Sequence, residues 1–295
     1  MRNRAQLEPA VQSAPPTSQP LPARRGVLSL TVGAWRRREL LRVLTVRELK
    51  ARYRGSALGF VWSLVNPLML LAVYTLVFGT ILAPRLGDGS SKDPYALFLI
   101  TGLFPWIWTS TSLLEGAVSL SANAGLIRKA VFPCEILPLV SVGANLVHFL
   151  LALPVLFGAL ILGRLLGYDV LGAFSPAVLG VVALQLVALA GAALGLAAAC
   201  VHFKDIRDLL ANLLQLLFFL APVLYAIDDI PVRAVQLLIR CNPFTPFALA
   251  YQETLFRGDL PGVGLWLQMV TVAAVCFVLG GALFRRLEDT LVEAV

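Results

Sequence analysis

Asp205 and Asp208 in the segment HFKDIRD, with the adjacent Asp228 and Asp229 further on, are the residues whose type and spacing first suggest chemistry. Paired carboxylates can hold Mg²⁺ through oxygen ligands and present it to a prenyl diphosphate, as an intramembrane prenyl transferase requires. Other reactive patterns are thin. The four cysteines, Cys134, Cys200, Cys241 and Cys276, are scattered without the CxxC spacing of redox or zinc chemistry. His148 and His202 are the only histidines, too few for a histidine-built centre, and no metal site is expected. No G-x-x-x-x-G-K-[ST] occurs, nor any Gly-Lys dipeptide, so the phosphate-cradling loop of P-loop ATPases is absent. Any ATP that drives this chain must be bound by another chain.

Whether the four aspartates can meet depends on the elements that carry them. Of the 295 residues 58% are hydrophobic and 14% charged, with a mean hydropathy of +0.82, above the roughly 45–50% apolar content of a soluble domain. The apolar residues fall in blocks of about the 20 that a helix needs to cross hydrocarbon. The fold class this predicts is an all-α integral membrane protein with six spans: Phe60–Ala83, Tyr95–Val118, Ile136–Leu162, Pro176–Cys200, Leu209–Ala226 and Val263–Phe284. Residues 1–34 form a separate Pro-, Ser- and Gln-rich tail, read as disordered and without the apolar core of a signal peptide. Residues 35–295 make one membrane domain.

Charge then orients the spans. Of 24 Lys and Arg, 18 fall in the segments on one side and six on the other, and retention of positive charge in the cytoplasm puts both termini inside. That topology accounts for a net charge of +7 without nucleic acid, for which no basic patch with interleaved aromatics on a soluble fold exists. It also separates the aspartates, because Asp205 and Asp208 lie inside while Asp228 and Asp229 emerge about 27 Å away across a span. Charge complementation and capping at a helix N-terminus is the preferred reading of Asp205 and Asp208. Few ionisable residues lie within the spans, Glu115 being the deepest. That scarcity argues against an ion-coupled transporter and for a conduit driven from outside.

Four other stretches invite a role. The basic run from Trp35 to Arg54 carries Leu40, Leu41, Val43, Leu44 and Ala51 within about half a helical wheel, so a helix along the cytoplasmic membrane surface is expected, its basic side chains at the anionic leaflet. Trp62, Tyr74, Trp106 and Trp108 could stack on sugar rings along a polymer path, or could simply occupy membrane interfaces, where such residues are enriched. The stretch SANAGLIRKAVFPCEILP between the second and third spans is either a short docking helix or a plain reverse turn. Residues 227–262 are too long for a hairpin and too apolar for a solvated loop, and are expected to re-enter the outer leaflet as a gate, or to lie on the outer surface.

The segments VRELKARYRGSALGFVWSLVNPL (46–68), NAGLIRKAVFPCEILPL (123–139) and FKDIRDLLANLLQLLFFLAPVLY (203–225) occur in this order. With them the chain resembles the membrane subunit of a type-2 ABC exporter, of the branch that moves O-antigen, capsular polysaccharide or teichoic acid. Lys204 and Ala221 stand where that pattern has arginine and serine.

The resemblance implies a non-enzymatic permease that pairs with a second copy of itself and with a separate ATP-binding subunit. That subunit would hold ATP and Mg²⁺, this chain binding no cofactor. Leu126, Ile127, Arg128, Lys129 and Phe132 would then form the coupling helix that enters a cleft of the ATPase. Arg47, Lys50, Arg52, Tyr53 and Arg54 would belong to an interfacial gate helix that meets the diphosphate of a lipid-linked polysaccharide among the membrane lipids. Val232 to Phe256 would be the periplasmic gate, and the location a cytoplasmic (inner) membrane crossed several times. An exporter of a drug or another lipid, and an intramembrane prenyl or glycosyl transferase, are the alternatives.

Overall fold

The computed structural model describes residues 33, 36–77, 95–129, 132–168, 170, 175–227 and 230–294. The proposed tail, apart from Gly33, and the pair Asp228 and Asp229 lie outside these residues. Among the described residues every regular element is helical. They are α1 (Arg38–Arg52), α2 (Trp62–Leu76), α3 (Tyr95–Ala122), α4 (Ala124–Lys129), α5 (Ile136–Leu165), α6 (Ala177–His202), α7 (Ile206–Phe219), α8 (Arg233–Cys241), α9 (Thr245–Tyr251) and α10 (Val263–Ala294).

Four stretches are long and apolar enough to cross a membrane: α3, α5, α6 and residues Val263–Glu288 of α10. They coincide with the second, third, fourth and sixth expected spans and run past their expected C-terminal ends. The first coincides with the 15-residue α2 as far as the described residues reach, positions 78–83 lying outside them. One expectation needs correction. The fifth is cut to the 14-residue α7, followed by irregular chain from Leu220 to Ile227. Pro222 contributes, since its ring and missing N–H disfavour helical backbone just before it. Prolines at 67, 105 and 154 are carried inside α2, α3 and α5.

The bundle closes around small residues. α6 and α10 cross at Gly191, Gly195 and Gly280; a Cβ on Gly195 would stand 2.8 Å from the Gly280 Cα, and one on Gly280 would overlap the Gly191 carbonyl. Gly191 and Gly195 are spaced as in a G-x-x-x-G face, which lets helices in lipid approach backbone to backbone and replaces the hydrophobic drive that lipid cannot supply. Gly116 on α3 meets Ala193 on α6 in the same way, 2.9 Å from a Cβ. Around this seam lies an apolar core containing Leu99, Ile100, Leu156, Leu160, Val181 and Tyr251.

Connectivity gives the bundle two distinct ends. The C-terminal ends of α3, α6 and α10 gather with α4 around Leu120, Ile127, Leu194, Phe284 and Leu291. At the opposite end the Tyr95 hydroxyl donates to the Leu224 carbonyl, placing the chain that follows α7 beside the start of α3.

Candidate functional site

α1 lies against α5 through a mixed face. Leu40, Leu41, Leu44 and Leu49 are half-buried together with Thr45, Glu48 and Arg52, whereas Val43 is 62% exposed and Ala51 is exposed as well. The expected apolar face, Leu40, Leu41, Val43, Leu44 and Ala51, is therefore divided between the two sides of the helix. Two polar contacts fix the ends of α1. Before its first turn the Arg37 Nη1 donates to the Glu135 Oε1 at 2.6 Å, just ahead of α5. Between these ends Thr45 passes Gly143, whose missing Cβ would sit 3.4 Å from the Thr45 Oγ1.

The second contact, at the C-terminal end of α1, is a cluster drawn from three helices. The Arg52 Nη2 pairs with the Glu115 Oε2 on α3, and its Nη1 donates to the Asn145 Oδ1 on α5 at 2.9 Å. The Asn145 Nδ2 donates to the same Glu115 oxygen at 2.6 Å. Glu48 lies one turn back with its Oε1 3.7 Å from the Arg52 Nε. Beside them the Tyr53 hydroxyl and the His148 Nε2 are 2.7 Å apart, and their rings meet edge to face with centroids 5.8 Å apart. Burial raises the Tyr53 phenol above its ordinary pKa, opposed by the charge of Arg52, so it stays a neutral hydroxyl at physiological pH.

Arg52, Tyr53, Glu115, Asn145 and His148 form the polar end of a cleft of about 400 Å³ between α1, α2, α3 and α5, whose apolar walls include Pro67, Leu70, Phe104, Ile107, Trp108 and Phe149. Such a cleft is suited to a ligand with an anionic or hydroxylated head and an apolar body. The remaining basic residues assigned to the gate, Arg47, Lys50 and Arg54, occupy the other face of α1, where with Arg42, Val43 and Val46 they line an open trough. The proposed gate residues thus split into an outward cationic row and an inward pair, Arg52 and Tyr53.

The four aromatics assigned to a sugar path are not gathered in one place. Trp62 and Tyr74 on α2 are half-buried. Trp106 is 6% exposed and meets the Phe244 ring at 5.0 Å, while Trp108 is 2% exposed and stacks on Phe149 at 5.0 Å. Only Trp108 of the four borders the cleft.

α4 is a six-residue helix, started by the Leu126 N–H donating to the Asn123 carbonyl at 2.9 Å. Ile127 is 5% exposed and inserts into the chain's own core, Leu126 and Phe132 are half-buried against it, and Arg128 and Lys129 complete the helix. Asp205 occupies the N-cap position of α7 without a side-chain hydrogen bond to it, and Asp208 sits in the first turn.

The segment after α7 folds back into the bundle. α8 stays outside, with Leu237 and Leu238 more than half exposed, whereas residues Phe244 to Ala248 and Ala250 to Gln252 are buried. Side chains satisfy the broken backbone. The Asn242 Nδ2 donates to the Leu217 carbonyl at 2.9 Å and its Oδ1 accepts the Phe244 N–H at 3.0 Å. The Gln252 Nε2 donates to the Pro222 carbonyl at 2.6 Å. Deeper, the Tyr251 hydroxyl donates to the Gln185 Oε1 at 2.7 Å, and the Gln185 Nε2 donates to the Thr109 Oγ1 at 2.8 Å. These bonds satisfy backbone groups where the helices break, as chain inside a membrane protein requires.

The sequence reading missed the partnership of Glu115, Asn145 and His148 with Arg52. A carboxylate within an apolar span calls for a cationic partner, but nothing in the sequence singles out Arg52 over Arg128 or Arg85, both closer to Glu115 along the chain.

Residues 39–256 match the family described as ABC-2 type transporter. The chain is 34% identical over 260 residues to the O-antigen export system permease protein RfbA of Myxococcus xanthus, covering 88% of this chain and 96% of that one. It is 30% identical to the protein of the same name from Klebsiella pneumoniae, over 86% of this chain and 94% of the other. The polysialic acid transport protein KpsM of Escherichia coli is 24% identical over 85% of this chain and 94% of its own.

Proposed function

Because the chain belongs to the ABC-2 type transporter family, we propose that it is the permease subunit of an exporter for a lipid-linked polysaccharide. The observation that carries this is its identity of 30–34% with O-antigen export permeases over 86–88% of its length. The multi-pass helical bundle supplies the conduit, and a separate ATP-binding subunit supplies the energy.

The finer architecture belongs to the same reading. α2 and α7, with the chain that extends them, complete six crossings, and both termini face the cytoplasm of a cytoplasmic (inner) membrane. Two copies assemble with two ATP-binding subunits. α4 docks on the ATPase: with Ile127 anchored in the permease core, force on Arg128 and Lys129 passes directly to the ends of α3, α6 and α10. ATP and Mg²⁺ act in the partner subunit.

On the substrate side, the outward row Arg42, Arg47, Lys50 and Arg54 concentrates the diphosphate of a polyprenyl carrier at the leaflet, and Arg52 receives it at the cleft. Trp62 and Tyr74 offer aromatic surface to the passing sugars; Trp106 and Trp108 join that path when α3 shifts and their ring stacks part. The buried hairpin of α8 and α9 closes the outer end.

The assembly is tested by affinity purification of the tagged chain in mild detergent after co-expression with an ATP-binding subunit encoded beside it. Stoichiometric co-elution supports the reading. A permease that elutes alone, with metal-dependent prenyl or glycosyl transfer in the same preparation, replaces it with the transferase alternative.

A further inference from the structure

We propose that Glu115 is a positioning residue for transport: its carboxylate holds Arg52, and with it the C-terminal end of α1, until the diphosphate of the incoming lipid displaces it. The proposal rests on the exporter reading above.

A guanidinium presents planar forked donors that carboxylates and phosphates match in the same way. In this structure Glu115 fills that position on Arg52. Asn145 braces the pair from both sides, accepting from Arg52 and donating to Glu115. The arginine is therefore built into a site for an acidic oxygen ligand that the chain itself occupies.

Access favours exchange. The Glu115 side chain is 41% exposed and that of Arg52 22%, and both border the cleft, so a diphosphate can approach without unfolding the cluster. One acceptor replaces another on the same donors, and no proton or covalent bond needs to change. After exchange Glu115 keeps Asn145, the Tyr53 contact with His148 parts along with Arg52, and α1 keeps its N-terminal attachment, Arg37 to Glu135. α1 then swings about its N-terminal end, and its contact with α5 at Thr45 and Gly143 opens.

That contact provides the measurement. In a background with the four native cysteines replaced, Thr45→Cys and Gly143→Cys sit where a disulfide can form, and crosslinking in proteoliposomes is followed as loss of maleimide-reactive thiols. The probe is polyprenyl diphosphate without glycan, in the complex with the ATP-binding subunit. We expect the probe to slow crosslinking at least threefold in the parent, Glu115→Gln to be slow without it, and Glu115→Asp to behave as the parent. The double exchange Arg52→Glu with Glu115→Arg should crosslink quickly with or without the probe.

If Glu115→Gln crosslinks at the parent rate and the probe changes neither, Glu115 is a structural contact only and the proposal falls. Should the double exchange fail to insert, the Gln and Asp variants decide alone. Co-elution of the ATP-binding subunit is scored in the same preparation, so failure of the exporter reading shows as loss of the partner, independently of the crosslinking rates.

Discussion

Arg52 and Glu115, separated by 63 positions in the sequence, are joined directly, and Asn145 bonds to both. The pair unites α1 with α3, one of the four helices long and apolar enough to cross a membrane. With side-chain exposures of 22% and 41%, it lies between a surface ion pair, worth about 0.2–1 kcal/mol, and a sealed one, whose disruption costs about 3–5 kcal/mol. A double-mutant cycle on Arg52→Ala and Glu115→Ala, read from denaturation in detergent, should give a coupling of about 1 kcal/mol. Additive single effects would show that the contact contributes nothing to stability.

The crossing of α6 and α10 should tolerate no added bulk. Gly280→Leu or Gly191→Leu would force the helices apart where a Cβ already meets backbone, and overpacking typically costs about 1–3 kcal/mol. Both variants should lose the monodisperse peak in size-exclusion chromatography. Gly264→Ala, with nothing within 4 Å of its Cβ, should elute as the parent does.

Tyr251→Phe removes the donor to Gln185 and leaves a buried amide oxygen without that bond. Loss of about 1–3 kcal/mol is expected, seen as a lower thermal midpoint in detergent. Gln185→Leu combined with Tyr251→Phe should recover part of the loss, since removing both partners is cheaper than stranding one.

Removing both charges of α4 with Arg128→Ala and Lys129→Ala should leave membrane insertion and apolar packing intact, because Ile127 supplies the attachment to the core. Export should fall at least tenfold while expression is unchanged. Normal export in cells carrying this variant would remove α4 from the coupling role.

The four long spans were legible because twenty-odd apolar residues in a row have few other destinations. Each runs past the C-terminal end that hydropathy marks: α3 continues through Ser119, Leu120, Ser121 and Ala122, where hydropathy fades but helix packing persists. α7 was overextended because the run Leu216 to Val223 reads as apolar throughout, and the effect of Pro222 on the preceding backbone outweighs that hydropathy.

On α1 the sequence shows a basic amphipathic helix, and Leu40, Leu41 and Leu44 of its apolar face do lie on the half-buried side, where Thr45, Glu48 and Arg52 join them. Hydrophobic periodicity cannot register the polar members of such a mixed face. For the same reason Arg52 and Tyr53 could be grouped with Arg47 and Arg54 by composition, although they occupy opposite sides. For residues 227–262 the prolines and apolar content left a re-entrant segment and a surface hairpin both open; the bonds from Asn242, Gln252 and Tyr251 that hold its buried part depend on residues distant in sequence.

The central claim, ATP-driven export of a lipid-linked polysaccharide, is tested most directly in proteoliposomes holding this chain and its ATP-binding subunit, loaded with a fluorescent polyprenyl-diphosphate-linked glycan. Appearance of the glycan on the leaflet opposite the ATP-binding subunits is scored with an impermeant glycosidase. The account predicts time-dependent cleavage that requires ATP hydrolysis and is abolished by Arg128→Ala with Lys129→Ala. Cleavage that proceeds equally without ATP, or no movement of the glycan by an intact complex that hydrolyses ATP, would contradict it.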